Sequence, residues 1–293
     1  MRRIVIGYDG SERGADALAL GRALAELAGG AVDVAVALVF PDGAVGASGV
    51  RQLDGEHRQT ADRILAGARR AWPQLGPGAF RLVQAGSPAA GLHRLAQETD
   101  ADALVVGASH HHAAGRVFPG SATEQTLHGA PCAVLVAPPG YAADGAGPPH
   151  ALRRVGVAYD GTQEARVALD AARALLCRRD DVTVVVLDVV DLAHPFAIPY
   201  DDPTFVEDVQ AIADEQLREA GAALHGIAHV ELDRRDGDPV RELVDATHAL
   251  DLLVLGSRGH GPIRRLLLGS VSTHVVRAAA CPLLLLPHGG EAP

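Results

Sequence analysis

The chain has 293 residues and carries an internal repeat, and this repeat limits its fold more than any other feature. Four landmarks return in the same order: residues 2–11 at 153–162, 86–88 at 237–239, 102–107 at 251–256 and 131–136 at 280–285. The last two pairs have an offset two residues shorter, which fits a small deletion between Pro239 and Asp251. The repeat predicts two domains, at residues 1–138 and 152–288, joined by a linker at 139–151 that is rich in Gly and Pro.

Within each half, short apolar runs alternate with helix-like stretches, a pattern typical of a parallel sheet buried on both faces. The spacing of Ala and Leu predicts a helix after the first strand, with Ser11 and Thr162 as the N-caps, while Ser87-Pro88 and Asp238-Pro239 should begin the third helix of each half. The predicted strands lie near residues 3–8, 32–39, 80–84, 103–107 and 133–137, and near 154–159, 182–189, 228–233, 252–256 and 283–286. We therefore expect an α/β protein with two tandem Rossmann-like domains, each a five-stranded parallel sheet flanked by helices. Ligands of such sheets bind beyond the carboxyl ends of the strands.

Composition excludes several classes of function. Acidic side chains outnumber basic ones by 36 to 26, for a formal charge of −10, which argues against a nucleic-acid partner. The chain has no Lys, so it contains neither a P-loop lysine nor a Schiff-base lysine. The apolar runs are too short for a membrane span or a signal-peptide core, and we expect a cytoplasmic protein with no membrane partner. The cysteines, Cys132, Cys177 and Cys281, are scattered, and we expect reduced thiols that pack.

A glycine motif follows the fourth strand of the second half, with the spacing Gly-x2-Gly-x9-Gly-Ser from Gly256 to Ser270. Gly256 is expected to end the strand with a sharp turn, and Gly259 to let backbone amides approach a phosphate. Gly269 and Ser270 should open a helix whose free N–H groups and dipole favour an anion. Three arginines of the same loop are available to neutralise a triphosphate, together with a Mg²⁺ ion: Arg258, Arg264 and Arg265.

This spacing resembles the ATP-binding signature of the universal stress protein family, and the resemblance extends over both halves. It implies adenine nucleotide α-hydrolase-like domains and an ATP-binding regulatory role in the stress response. It also implies that Asp160 meets the ribose and adenine and that Val189 is an apolar adenine contact, although Asp160 also fits a turn or helix-capping carboxylate. The site residues implied for the second half are Ala158, Tyr159, Asp160, Val189, Leu255, Gly256, Arg258, Gly259, Gly269, Ser270 and Val271.

The first half departs from this pattern, because His110 stands where the second glycine of the motif should be. A side chain there crowds the phosphate path, which argues against ATP binding in this half. The other elements remain in place: Asp9, Val39, Gly107, Ser109, Gly120 and Ser121. The run His110-His111-His112 suggests a metal site, but consecutive histidines do not easily face one ion, and we favour a solvated loop without a metal.

No arrangement of a nucleophile and a base is evident, so we expect no enzyme, with slow ATP hydrolysis left open. The alternative function is a nucleotide-independent module for protein interaction or dimerisation. By the resemblance, Ala133 to Ala137 should pair with Leu283 to Leu286 in an internal pseudo-dimer. A further homodimer and an unidentified protein partner also stay open.

Overall fold

The computed structural model describes residues 1–29, 32–41, 55–108, 122–142, 151–191, 203–257, 266 and 268–287, apart from the side chains of 41 and 203–205. The chain divides into two compact units, Met1–His150 and Ala151–Pro293. In the described ranges, no helix is long and apolar enough to cross a membrane.

The first unit is a parallel sheet of five strands with helices between them. Its strand order is β3-β2-β1-β4-β5. Its elements are β1 (Arg3–Gly7), α1 (Glu12–Leu27), β2 (Asp33–Pro41), α2 (Gly55–Ala71), a 3₁₀ turn (Pro77–Ala79), β3 (Phe80–Ala85), α3 (Pro88–Glu98), β4 (Ala103–Gly107), α4 (Ala122–Leu127) and β5 (Ala133–Ala137).

The second unit repeats this arrangement, with the strand order β8-β7-β6-β9-β10 and parallel pairing throughout. The predicted fold class is therefore confirmed. The elements are β6 (Arg154–Ala158), α5 (Gln163–Leu176), β7 (Thr183–Val190), α6 (Pro203–Ala223), β8 (His229–Asp236), α7 (Pro239–Ala246), a 3₁₀ turn (Thr247–Ala249), β9 (Leu252–Gly256), α8 (Ser270–Ala278) and β10 (Leu283–Leu286).

Side-chain caps begin the helices where they were predicted. Ser11 accepts a hydrogen bond from Gly14 N at 3.3 Å, and Thr162 accepts one from Ala165 N at 3.3 Å. Before α3 and α7 the cap residues are Ser87 and Asp238, each followed by Pro at the first helical position. Each cap satisfies an N–H group that has no partner within its helix.

β8 is longer than predicted and shows what the apolar pattern misses. The pattern ends near residue 233, but the strand continues to Asp236 and pairs with the end of β7. The added residues are charged. Arg234 forms an ion pair with Asp214 at 3.5 Å, and Arg235 donates to Asp233 at 3.0 Å. A strand at the edge of its unit's sheet exposes side chains to water. Charged residues can therefore continue such a strand without the cost of burying their charges.

The start of the predicted linker is attached to the first unit through Asp16. This carboxylate is 2% exposed and accepts hydrogen bonds from Gly140 N at 3.1 Å and Ala142 N at 2.7 Å. Two backbone donors compensate the burial of its charge.

The cysteines differ in environment. Cys281 is buried and Cys132 is half-buried, and burial raises the pKa of each thiol to about 12. The expectation that all three pack is wrong for Cys177, which is exposed because it caps the carboxyl end of α5.

Candidate functional site

A cavity of about 200 Å³ opens in the second unit beyond the carboxyl ends of β6, β7 and β9. The beginnings of α5, α7 and α8 also line it. Nine of the residues that the resemblance implied lie in this lining: Ala158, Tyr159, Asp160, Val189, Leu255, Gly256, Gly269, Ser270 and Val271. Two others, Arg258 and Gly259, lie outside the described residues, as do Arg264 and Arg265. Sequence reasoning missed several lining residues that come from α5, β7, α7 and α8: Thr162, Glu164, Ala165, Leu187, Pro239, Leu243 and Ser272.

Asp160 holds a tight turn after β6 and also lines the cavity. Its Oδ1 accepts hydrogen bonds from Thr162 N at 3.1 Å and Thr162 Oγ1 at 2.5 Å. Gly161 has a φ of +72°, a left-handed conformation that Gly adopts at little cost. The turn interpretation and the cavity position are therefore compatible, and the turn orients the carboxylate.

Gly256 is required because the end of β9 lies against the backbone of α5. A Cβ atom at this position would lie 2.2 Å from the backbone O of Glu164 and 2.5 Å from its backbone C. Gly107 lies equally close to α1: a Cβ atom added there would lie 2.2 Å from the backbone O of Arg13. The glycine thus lets the end of the strand touch the backbone of the first helix of its unit, and the φ of Gly256 is not positive. The strand ends at Gly256 as expected, and the loop that should form the turn, at residues 258–265, lies outside the described residues.

The amino end of α8 lies at the cavity. Gly269 is the N-cap and has no side chain to occupy the first-turn amides, and Ser270, Val271 and Ser272 all line the cavity. The Gly269 carbonyl accepts from Thr273 N at 3.0 Å and Thr273 Oγ1 at 2.7 Å, which fixes this end of the helix. A helix start whose N-cap residue offers no side-chain cap has a positive dipole end that suits an anionic group.

Asp188 is a buried carboxylate next to this cavity that sequence reasoning missed. It lies in β7 between Leu187 and Val189, which line the cavity, and it is 5% exposed. Burial raises the pKa of its carboxyl to about 6, and the nearby charge of Asp160 adds to the effect. The available signal was a single carboxylate inside a run of valines, where charged residues are rare.

The raised pKa of Asp188 makes stability depend on pH. The folded protein holds this proton more tightly than the unfolded chain does, so the contribution to stability is complete below about pH 4 and is lost as the pH rises through about 6. Asp188→Asn should therefore raise the free energy of unfolding near pH 8 by about 1–3 kcal/mol more than near pH 4. Urea denaturation at both pH values measures this. The control Asp181→Asn removes an exposed carboxylate whose pKa the Arg179 hydrogen bond lowers, and it should give no such gain.

The first unit has a cavity of about 130 Å³ at the equivalent position. Asp9 repeats the turn, accepting from Ser11 N at 3.0 Å and Ser11 Oγ at 2.5 Å. The lining includes three of the predicted residues, Asp9, Val39 and Gly107. The other three, Ser109, Gly120 and Ser121, lie outside the described residues, as does the histidine run at 110–112.

The two cavities differ in charge near the first helix. Arg13 lines the first cavity, whereas Glu164, at the same place in α5, lines the second. The described lining of the second cavity thus carries two carboxylates, Asp160 and Glu164, and no Arg. A polyphosphate in this cavity would need positive charge from the glycine loop or from a cation.

Comparison with known proteins identifies the family. The model of the universal stress protein family matches residues 1–138 and 151–287. A Thermus aquaticus protein named "Universal stress protein in QAH/OAS sulfhydrylase 3'region" is 31% identical over 134 residues, which cover 44% of this chain and 95% of that protein. The crystal structure of a universal stress protein from Archaeoglobus fulgidus shares the fold, with a TM-score of 0.61, 18% identity and 98% of both chains covered. The chain therefore belongs to the universal stress protein family, in a form with two tandem domains.

Proposed function

We propose that this protein is an ATP-binding regulatory protein of the stress response and that its second unit carries the ATP site. The observation that supports this most is that a single cavity is lined by residues from separate stretches of the chain. These residues are the ones that the motif and the resemblance predict for the site. The cavity also lies where parallel α/β sheets bind ligands, beyond the carboxyl ends of the strands.

The proposed contacts follow the chemistry of the lining. Val189 and Leu187 offer an apolar wall for the adenine, and Asp160 offers a carboxylate for the ribose hydroxyl groups. The phosphates would meet the backbone amides at the start of α8, where Gly269 provides no side-chain cap, and the hydroxyl of Ser270. The loop arginines and Mg²⁺ would then offset the carboxylates of Asp160 and Glu164.

We propose a regulatory role and no efficient catalysis. In the described lining of the second cavity, no His or Cys stands beside a hydroxyl that it could activate. The alternative, a nucleotide-independent interaction module, predicts that ATP does not bind to ligand-free protein. The pairing of 133–137 with 283–286 stays a prediction.

Asp160→Asn should weaken ATP binding by about tenfold to a hundredfold, since a hydrogen bond to a charged acceptor contributes about 1.5–3 kcal/mol. The amide keeps one oxygen for the Thr162 turn bonds, so the fold around β6 should survive. Isothermal titration calorimetry at constant Mg²⁺ gives the two dissociation constants. Asp9→Asn is the matched control, because Asp9 makes the same turn in the first unit, and it should leave the affinity unchanged. Equal losses in both variants, or loss in Asp9→Asn alone, would contradict the assignment to the second unit.

A further inference from the structure

The buried carboxylate of Asp188 distinguishes the second unit from the first. In the first unit Gly7 of β1 pairs with Ala37, and in the second Ala158 of β6 pairs with Leu187. The next residue is Leu38 in the first unit, 3% exposed, and Asp188 in the second, 5% exposed. The same buried position therefore holds an apolar side chain in one unit and an ionisable one in the other.

Asp188 has little compensation for its charge. The charged groups that act on it come from three elements: Asp160 after β6, Asp214 on α6 and Arg234 on β8. Arg234 is opposite Asp188 in the strand register, but it also pairs with Asp214 at 3.5 Å. One guanidinium therefore serves two carboxylates, while Asp160 adds repulsion. Among the described residues, a hydrogen bond from the Val189 backbone is the other support.

The position of Asp188 links this charge to the ligand. Leu187 and Val189 line the cavity, and because side chains alternate along a strand, the side chain of Asp188 lies on the other face of the sheet. Its link to the site runs through the end of β6: Tyr159 N donates to Leu187 O at 2.8 Å, which places Asp188 beside the turn that carries Asp160, a lining residue. Ionised Asp188 therefore adds negative potential to a lining that already carries Asp160 and Glu164. A buried charge is screened less by salt than an exposed one, so its effect reaches the cavity.

We propose that Asp188 controls the affinity of the second cavity for anionic nucleotide according to pH, holding the nucleotide more tightly when it is protonated and less tightly when it is ionised. This inference rests on the proposed ATP site. The pH range in which the change occurs lies near 6, where the carboxyl titrates. The first unit, with Leu38 in this place, has no corresponding group.

The test measures the dissociation constant of ATP at saturating Mg²⁺ between about pH 5 and pH 8.5, for the intact wild-type chain and Asp188→Asn. The quantity of interest is the ratio of the wild-type constant to the variant constant, because the titration of the ATP phosphates and of the histidines cancels in it. We expect a ratio near one at pH 5 that rises to about threefold to tenfold above pH 7, the order of magnitude that one added charge near the cavity gives at an effective dielectric constant of about 20.

Further variants separate charge from packing. Asp188→Leu introduces the side chain that Leu38 has at this position in the first unit. It should give the same ratio as Asp188→Asn, which would show that the effect comes from losing the charge and not from the new amide. Asp214→Asn removes the ion pair between Asp214 and Arg234, so that Arg234 stabilises the charge of Asp188 only. The midpoint of the pH dependence should then lie at lower pH than in the wild type. Asp181→Asn makes the same change of charge two residues before β7, and the ratio of the wild-type constant to this variant's constant should not change with pH.

The outcomes distinguish this inference from the function on which it rests. ATP binding with a ratio that is flat across the pH range, or with tighter binding by the wild type at high pH, would overturn the role of Asp188 alone. No ATP binding by any variant at any pH would overturn the proposed site and the inference together.

Discussion

Gly256→Ala should destabilise the second unit by about 2–4 kcal/mol, at or above the usual cost of overpacking a core. The new Cβ would lie 2.2 Å from the backbone O of Glu164, and neither β9 nor α5 can yield by rotating a side chain. β9 lies between β6 and β10, so a shift of its end disturbs two strand pairs. Gly107→Ala should have a similar effect on the first unit, through Arg13.

Differential scanning calorimetry measures both effects, because the two units need not unfold in one step. Gly86→Ala is the control: nothing lies within 4 Å of its added Cβ atom, and we expect a change of less than about 0.5 kcal/mol. If Gly256→Ala were as stable as Gly86→Ala, the close approach of β9 to α5 would be incorrect.

Gly259→Asp should abolish ATP binding, with a loss of at least about a hundredfold. A carboxylate at the second glycine of the motif would repel the phosphates and would obstruct the approach of the backbone amides to them. His110→Asp makes the corresponding change in the first unit and should leave binding intact, since His110 already departs from the motif.

Calorimetric titration of both variants gives the affinity and the stoichiometry. We expect about one ATP per chain for the wild type and His110→Asp, and none for Gly259→Asp. A wild-type stoichiometry of about two, reduced by each variant in turn, would show that the first unit also binds ATP.

Much of the fold could be predicted because the central strands are buried on both faces. The bounds of β4, β5, β9 and β10 agree with the predicted residues, since a strand without a polar face forms one continuous apolar run. The end of β8 could not be predicted, because Arg234 and Asp236 contact α6 and Arg235 donates to the Glu242 carbonyl of α7, and no local pattern records such contacts.

The candidate site could be predicted where a backbone requirement leaves a mark in the sequence. Gly161 is needed for a left-handed turn and Gly256 for contact with a helix backbone, so both appear as glycines. The physical reason for Gly256 became clear only from its distance to Glu164, a residue 92 positions earlier in the chain. Glu164 carries no such mark, and Asp188 leaves only the weaker signal of one carboxylate inside a run of valines, because the importance of both comes from the elements packed around them.

The proposed location of the nucleotide can be tested most directly by photolabelling the intact chain with 8-azido-ATP and mapping the labelled peptides by mass spectrometry. The proposed site predicts labelling that excess ATP prevents, in peptides containing residues 154–162 or 183–190 of the second unit. Labelling confined to the first-unit peptides around 3–11 and 33–41, or labelling that ATP does not prevent, would contradict it.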